Sequence, residues 1–151
     1  MDKKEEIIYL LHFFSQPQAQ QWKEIPDTLA PVWVRVGNME AATDKPIRLL
    51  SMVLADHLNG CCDNFPPDAI EVTDEIRVLL TYWMLESPHD HIFAKRDESD
   101  QLDYIWGILS RLCQEALNKV EYPPVKDICF EHFVKNYSHP INTQEFDLPI
   151  L

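Results

Sequence analysis

The sequence predicts an all-α protein, an irregular bundle of about five helices with one short extended segment near residues 32–36. Two observations predict this class. Apolar residues recur at helical spacing in several separate stretches, and prolines or a glycine stand where most of those stretches end. Only one stretch shows the alternation that is typical of a strand. The length of 151 residues suits one domain, residues 1–151.

The first helix is predicted over residues 3–14, whose apolar positions are Ile7, Leu10, Leu11 and Phe14. Prolines interrupt residues 15–31, so we expect a short helix at most and then a loop. Residues 32–36 alternate β-branched side chains and end at Gly37-Asn38, which is typical of a strand. Because no second strand is evident, we expect this segment to pack in extended form against helices; the alternative is a small edge strand.

The next helix is predicted to begin after Thr43 or Asp44, either of which can cap it, and to end at Gly60. Pro46 is compatible with its first turn, where the amides have no partner within the helix. Its apolar face includes His57.

A loop is expected over residues 61–72, which contain Pro66-Pro67. Thr73 is then expected to cap a helix over residues 74–86. Because that helix is apolar on most sides, with Tyr82 among its apolar residues, we expect it in the middle of the core.

The C-terminal part is predicted to contain two more helices. A polar loop over residues 87–98 leads to the clearest helix, residues 99–120, with Ser99 as its cap. A proline pair ends that unit, and a last helix is expected over residues 125–136. The tail from Ser138 is expected to be extended or irregular.

The charge of the chain argues against several partners. The sequence has 25 Asp and Glu against 13 Lys and Arg, a formal net charge of -12 at pH 7, and such a surface repels phosphate groups. Nucleic acid and anionic membrane surfaces are therefore not expected as partners. No apolar run reaches the roughly 18 residues of a membrane span, and the start of the chain is unlike a signal peptide. The cytoplasm is the expected location, with the four cysteines reduced.

The sequence contains no motif of a common catalytic class. Gly37, Gly60 and Gly107 stand alone, so G-x-G-x-x-G, the Walker loop and G-x-S-x-G are absent. Cys113 and Cys129 lie on apolar stripes, where free cysteine behaves as a small hydrophobe. We therefore expect neither an enzyme nor a cofactor.

Histidine and aspartate residues support an alternative function. His89-Asp90-His91 lies in a polar loop and Asp56-His57 on an upstream helix, and these residue types bind zinc and iron. The pattern resembles that of the HD phosphohydrolases, all-helical enzymes whose metal is held by a His, a His-Asp pair and a distant Asp, although the pair at 56–57 has the reverse order. The resemblance implies a metal-dependent hydrolase that uses Asp56, His57, His89, Asp90 and His91. In the competing interpretation His57 is a histidine at the edge of the core with a hydrogen-bond partner.

Acidic residues form two clusters, over residues 63–75 and 97–103, that can present a negative face to a basic protein. An exposed aromatic residue, Tyr104 or Trp33, is expected to anchor that partner. The predicted binding residues are Asp63, Asp68, Glu71, Asp97, Glu98, Asp100, Asp103 and Tyr104. This short, acidic, glycine-poor profile is similar to that of immunity and inhibitor proteins that neutralise toxins. A further alternative is a subunit of a larger assembly that docks through its apolar tail, residues 148–151.

Overall fold

Helices make up most of the structure, a computed structural model that describes residues 2–24, 32–36, 39–43, 46–60, 65–85, 103–125 and 129–140. The helices are α1 (Lys3–Ser15), α2 (Gln18–Glu24), α3 (Pro46–Gly60), α4 (Pro67–Val78), which continues as a π-helical segment (Leu79–Leu85), α5 (Asp103–Val120) and α6 (Phe130–Tyr137). The strands are β1 (Val32–Val36), β2 (Met39–Thr43) and β3 (Ser138–Pro140). The predicted helical bundle is confirmed in these ranges, and a small sheet accompanies it.

The extended segment over residues 32–36 is the central strand of that sheet. β1 pairs antiparallel with β2 and with β3, in the order β2-β1-β3, and Val32 lies opposite both Thr43 and Pro140. The expectation that this segment packs without strand partners is therefore wrong. β2 could not be predicted from the sequence because Met-Glu-Ala-Ala-Thr consists mostly of helix-forming residues. β3 could not be predicted because that strand is only 3 residues long.

α1 begins where the sequence indicates. Asp2 is its N-cap, and the Asp2 carboxylate accepts a hydrogen bond from the Glu5 amide at 2.9 Å. Seven of its side chains are buried, including Ile7 and Phe14. The prediction of a helix over residues 3–14 is therefore confirmed.

α3 lies in the middle of the core, because α1, α4, α6 and the sheet all pack against it. Leu49, Leu50 and Val53 have no exposed surface, although they point in different directions around the helix. The sequence instead predicted that the helix over residues 74–86 would be central. That prediction is wrong, since Val78 is 36% exposed and Tyr82 is 58% exposed, opposite the buried Ile76.

α4 begins at Pro67, seven residues before the predicted start at residue 74. Pro66 is its N-cap and Pro67 its first residue, where the missing amide of proline costs no helical hydrogen bond. The Pro66 carbonyl accepts from the amides of Ala69 and Ile70, at 2.9 and 3.0 Å. Thr73 is buried inside the helix, and its hydroxyl donates to the Ile70 carbonyl at 2.9 Å.

The last two helices are α5 and α6. α5 confirms the predicted helix over the described residues 103–120, whereas Ser99 and the loop over residues 87–98 lie outside the described residues. α6 begins at Phe130, whereas the sequence predicted a helix from residue 125; Val125 and Cys129 are not helical, and residues 126–128 lie outside the described residues. None of the helices in the described ranges is long and apolar enough to cross a membrane.

Candidate functional site

The predicted acidic binding residues fall partly within the described structure. Asp68 and Glu71 lie on α4, and both are exposed. Asp103 and Tyr104 are the first two residues of α5. The other predicted binding residues lie outside the described residues: Asp63, Asp97, Glu98 and Asp100. The apolar tail over residues 148–151 lies outside them too. The convergence of the two acidic clusters therefore stays a prediction.

α4 has an acidic face, which we define as Asp68, Glu71, Asp74 and Glu75. All four residues are exposed, and at these spacings they lie on one side of the helix. Arg77 is the single basic residue of α4, and its guanidinium donates to Asp74 Oδ1 from Nη2 at 2.8 Å and from Nε at 3.1 Å. The other three carboxylates thus account for most of the negative potential of this surface.

Two exposed hydrophobic side chains lie at the end of this acidic face. Val78 and Tyr82 follow on the solvent side of the same helix and are the large hydrophobic residues most exposed among the described residues. A groove of about 440 Å³ lies beside the acidic face, lined by Leu58 and Asn59 at the end of α3 and by Ile70, Glu71, Asp74 and Arg77 of α4. α4 and the π-helical segment that continues it therefore combine carboxylates, the accessible ring of Tyr82 and a concave surface.

A second candidate site is a buried polar cluster, which we define as Glu6, His57, His132 and Tyr137. Glu6 on α1 is 4% exposed and accepts three hydrogen bonds. Oε1 accepts from His57 Nε2 at 2.9 Å and from the Tyr137 hydroxyl at 2.6 Å, and Oε2 accepts from His132 Nε2 at 2.6 Å. His57 is 1% exposed, whereas the His132 side chain is 26% exposed. The cluster thus connects α1, α3 and α6 through one carboxylate.

The electrostatics of this cluster favour an ionised Glu6 and a neutral His57. Burial acts to raise the pKa of Glu6, but the hydrogen bonds from Tyr137, His132 and His57 outweigh it and hold that pKa below its ordinary value. Burial is also the main effect on His57, and it lowers the pKa of this imidazole despite the attraction of Glu6. A neutral His57 that donates from Nε2 carries no proton on Nδ1, and Nδ1 is buried without a partner in the described part of the chain.

The sequence indicated this cluster only in part. His57 lies on a predicted apolar face, and its interpretation as a histidine with a hydrogen-bond partner is confirmed. The partner was missed because Glu6 stands among the charged residues that open α1 and is 51 residues from His57 in sequence. Burial of Glu6, the informative feature, has no local signal in the sequence.

The residues of the metal alternative are only partly described. His57 Nε2 is hydrogen-bonded to Glu6, and Asp56 is half-buried beside it. His89, Asp90 and His91 lie outside the described residues. Among the residues that the structure describes, no group of three or more His, Cys, Asp or Glu is arranged to hold a metal ion. His57 therefore belongs to the polar cluster here.

Two cysteines can be placed. Cys113 is fully buried in α5, and burial raises the pKa of its thiol well above the ordinary range, so it is unreactive. Cys129 precedes α6 and is exposed.

No protein-family model, curated protein or solved structure matches the chain. The functional argument therefore depends on the residues of the chain itself.

Proposed function

We propose that this chain is a small acidic binding protein that masks or inhibits a basic protein, in the manner of immunity and inhibitor proteins. One observation carries the proposal: the acidic face of α4 exposes four carboxylates beside one arginine. A local excess of one charge raises the rate at which an oppositely charged protein is captured. The net charge of -12 acts in the same direction over the whole molecule.

Tyr82 joins Tyr104 and Trp33 as a proposed anchor for the partner. Its ring is 58% exposed at the end of the acidic face, so a partner can bury it with little rearrangement. Tyrosine suits this role because it contributes a large apolar area with few rotatable bonds. In this arrangement the carboxylates set the association rate and Tyr82 slows dissociation.

The second acidic cluster is proposed to extend the same surface. α4 packs against α5, and Asp103, the last acid of that cluster, is the first residue of α5. Nucleic acid is not a proposed partner, because its phosphates would be repelled by the same charge that attracts a basic protein. The proposed location is the cytoplasm, and no cofactor takes part.

Affinity capture from native lysate tests the proposal. The bait is the wild-type chain, and the variant Asp68→Lys/Glu71→Lys/Glu75→Lys reverses the acidic face while Asp74 keeps its bond to Arg77. The matched control, Glu24→Lys/Glu115→Lys/Glu121→Lys, makes the same change in net charge at exposed positions elsewhere.

We expect wild type and control to retain one basic protein at low salt and the α4 variant to lose it. High salt should weaken the capture by wild type. The proposal fails if nothing is retained, or if both variants lose the partner equally.

A further inference from the structure

The C-terminal unit of the fold, α6 and β3, is attached to the bundle by a few buried aromatic rings and by polar contacts. α6 buries two side chains, Phe130 and Phe133, whereas the longer α1 buries seven. Two of its other residues, His132 and Tyr137, end on the Glu6 carboxylate. β3 follows α6 directly and adds the third strand to the sheet through its pairing with β1. Displacement of α6 would therefore also separate β3 from β1.

Glu6 is the acceptor on which this attachment depends. The groups that act on the polar cluster come from every element around it: His57 and Asp56 from α3, His132 and Tyr137 from α6, and Lys3 from α1. Lys3 disfavours and Asp56 favours a proton on His57, but neither is hydrogen-bonded to it in the described structure. Among the described residues, Glu6 is thus the one carboxylate hydrogen-bonded to His57, His132 and Tyr137.

We propose that Glu6 is an acid-sensitive clasp: when its carboxylate is protonated, α6 and β3 separate from the bundle while α1, α3 and α5 stay folded. A neutral carboxyl is a weaker acceptor than a carboxylate, and its own O–H group needs an acceptor where three donors already converge. An imidazolium beside a neutral carboxyl is an unpaired cation, and in a buried site that arrangement is costly. Opening relieves both problems because it exposes His132 and Tyr137 to water.

The opening would expose apolar surface as well as polar groups. The Phe133 ring stacks on Tyr9 with centroids 5.5 Å apart, and Phe133 has no exposed surface in the closed form. Loss of β3 also leaves one edge of β1 unpaired. In acid the chain therefore gains an aromatic patch and a free strand edge, while α4 keeps its place in the bundle.

Hydrogen exchange of the full chain between pH 7 and pH 3, read as protection factors by mass spectrometry, tests the proposal. The range extends to pH 3 because the pKa of Glu6 is lowered, so this carboxylate takes up its proton below the ordinary glutamate range. We expect the amides of residues 130–140 to lose protection by at least about tenfold on acidification, the scale that follows from loss of hydrogen bonds to a charged group. The amides of residues 105–116 in α5 should stay protected. Simultaneous loss of protection in both segments would mean global unfolding and would overturn the proposal.

Two variants and a control make the test specific to Glu6. Glu6→Gln should expose residues 130–140 to exchange already at pH 7 and remove most of the pH dependence, whereas Glu5→Gln, the same change one residue earlier, should behave as wild type. If Glu6→Gln does not fold, Tyr137→Phe decides the matter. It removes one of the hydrogen bonds that keep Glu6 ionised, so protection should be lost at a higher pH. An unshifted pH midpoint in Tyr137→Phe would contradict the clasp.

Discussion

Glu6 is a buried carboxylate, 4% exposed, and buried carboxylates are rare unless their hydrogen bonds are satisfied. Its two oxygens accept from two imidazoles and a phenol at 2.6–2.9 Å, which compensates for the loss of water. The same hydrogen bonds outweigh burial and lower the pKa of the carboxyl. Each of the three hydrogen bonds to the Glu6 carboxylate therefore stabilises the fold, and removal of one donor should lower the free energy of unfolding measurably.

The substitution Tyr137→Phe should lower the free energy of unfolding by about 1.5–3 kcal/mol, the range for a hydrogen bond to a charged group. The ring and its stacking on Phe133 remain, so packing changes little. Urea unfolding at pH 7 measures the effect. Tyr82→Phe, which makes the same change on an exposed ring, is the control and should be close to neutral. Equal effects of the two substitutions would contradict the importance of the Glu6 contact.

At the scale of elements, periodic apolar residues predicted α1, α3 and α5 well because each of these helices buries a continuous stripe. The start of α4 was missed because Pro66-Pro67 was interpreted as part of a loop, although proline is compatible with the first turn of a helix. β2 was missed because its composition favours helix and its pairing with β1 overrides that preference. Both errors come from contacts or positions that local propensity does not encode.

The N-cap of α1 gives a test at this scale. Asp2→Ala removes the acceptor for the Glu5 amide and should lower the free energy of unfolding by about 1 kcal/mol. Thermal unfolding at neutral pH provides the measurement. Asp2→Ser should retain most of the stability because serine is also a good cap. If alanine and serine have the same effect, the hydrogen bond at 2.9 Å does not stabilise the helix.

Over the whole molecule, the polar cluster that joins His57 and His132 could be predicted from sequence only through His57, which lies on an apolar face. The acceptor that joins them is 51 residues from His57 and 126 residues from His132, so only the tertiary fold brings them together. The acidic face of α4 was easier to predict, since its carboxylates are close in sequence and carboxylates are seldom buried. Tyr82 was wrongly assigned to the core because a largely apolar helix gives no indication of which side faces water.

The stability of the whole protein should fall as the pH decreases from 7 to 4. Folding lowers the pKa of His57 and of the partly buried His12. As the pH falls through the ordinary histidine range, about 6.5, the unfolded chain therefore takes up protons before the folded chain does, and stability decreases. The lowered pKa of Glu6 extends the loss through the glutamate range. Chemical denaturation at a series of pH values measures this dependence. Stability that is constant or rises towards acid would contradict these directions.

The central claim is that the acidic face of α4 captures a basic protein, and the association rate constant of the purified pair at low ionic strength tests it most directly. The variant Asp68→Lys/Glu71→Lys/Glu75→Lys should associate at least about tenfold more slowly than wild type and depend less on salt. Glu24→Lys/Glu115→Lys/Glu121→Lys, with the same net charge, should associate at close to the wild-type rate. Equal rates for the two variants would contradict the claim, because net charge and not the α4 surface would then govern capture.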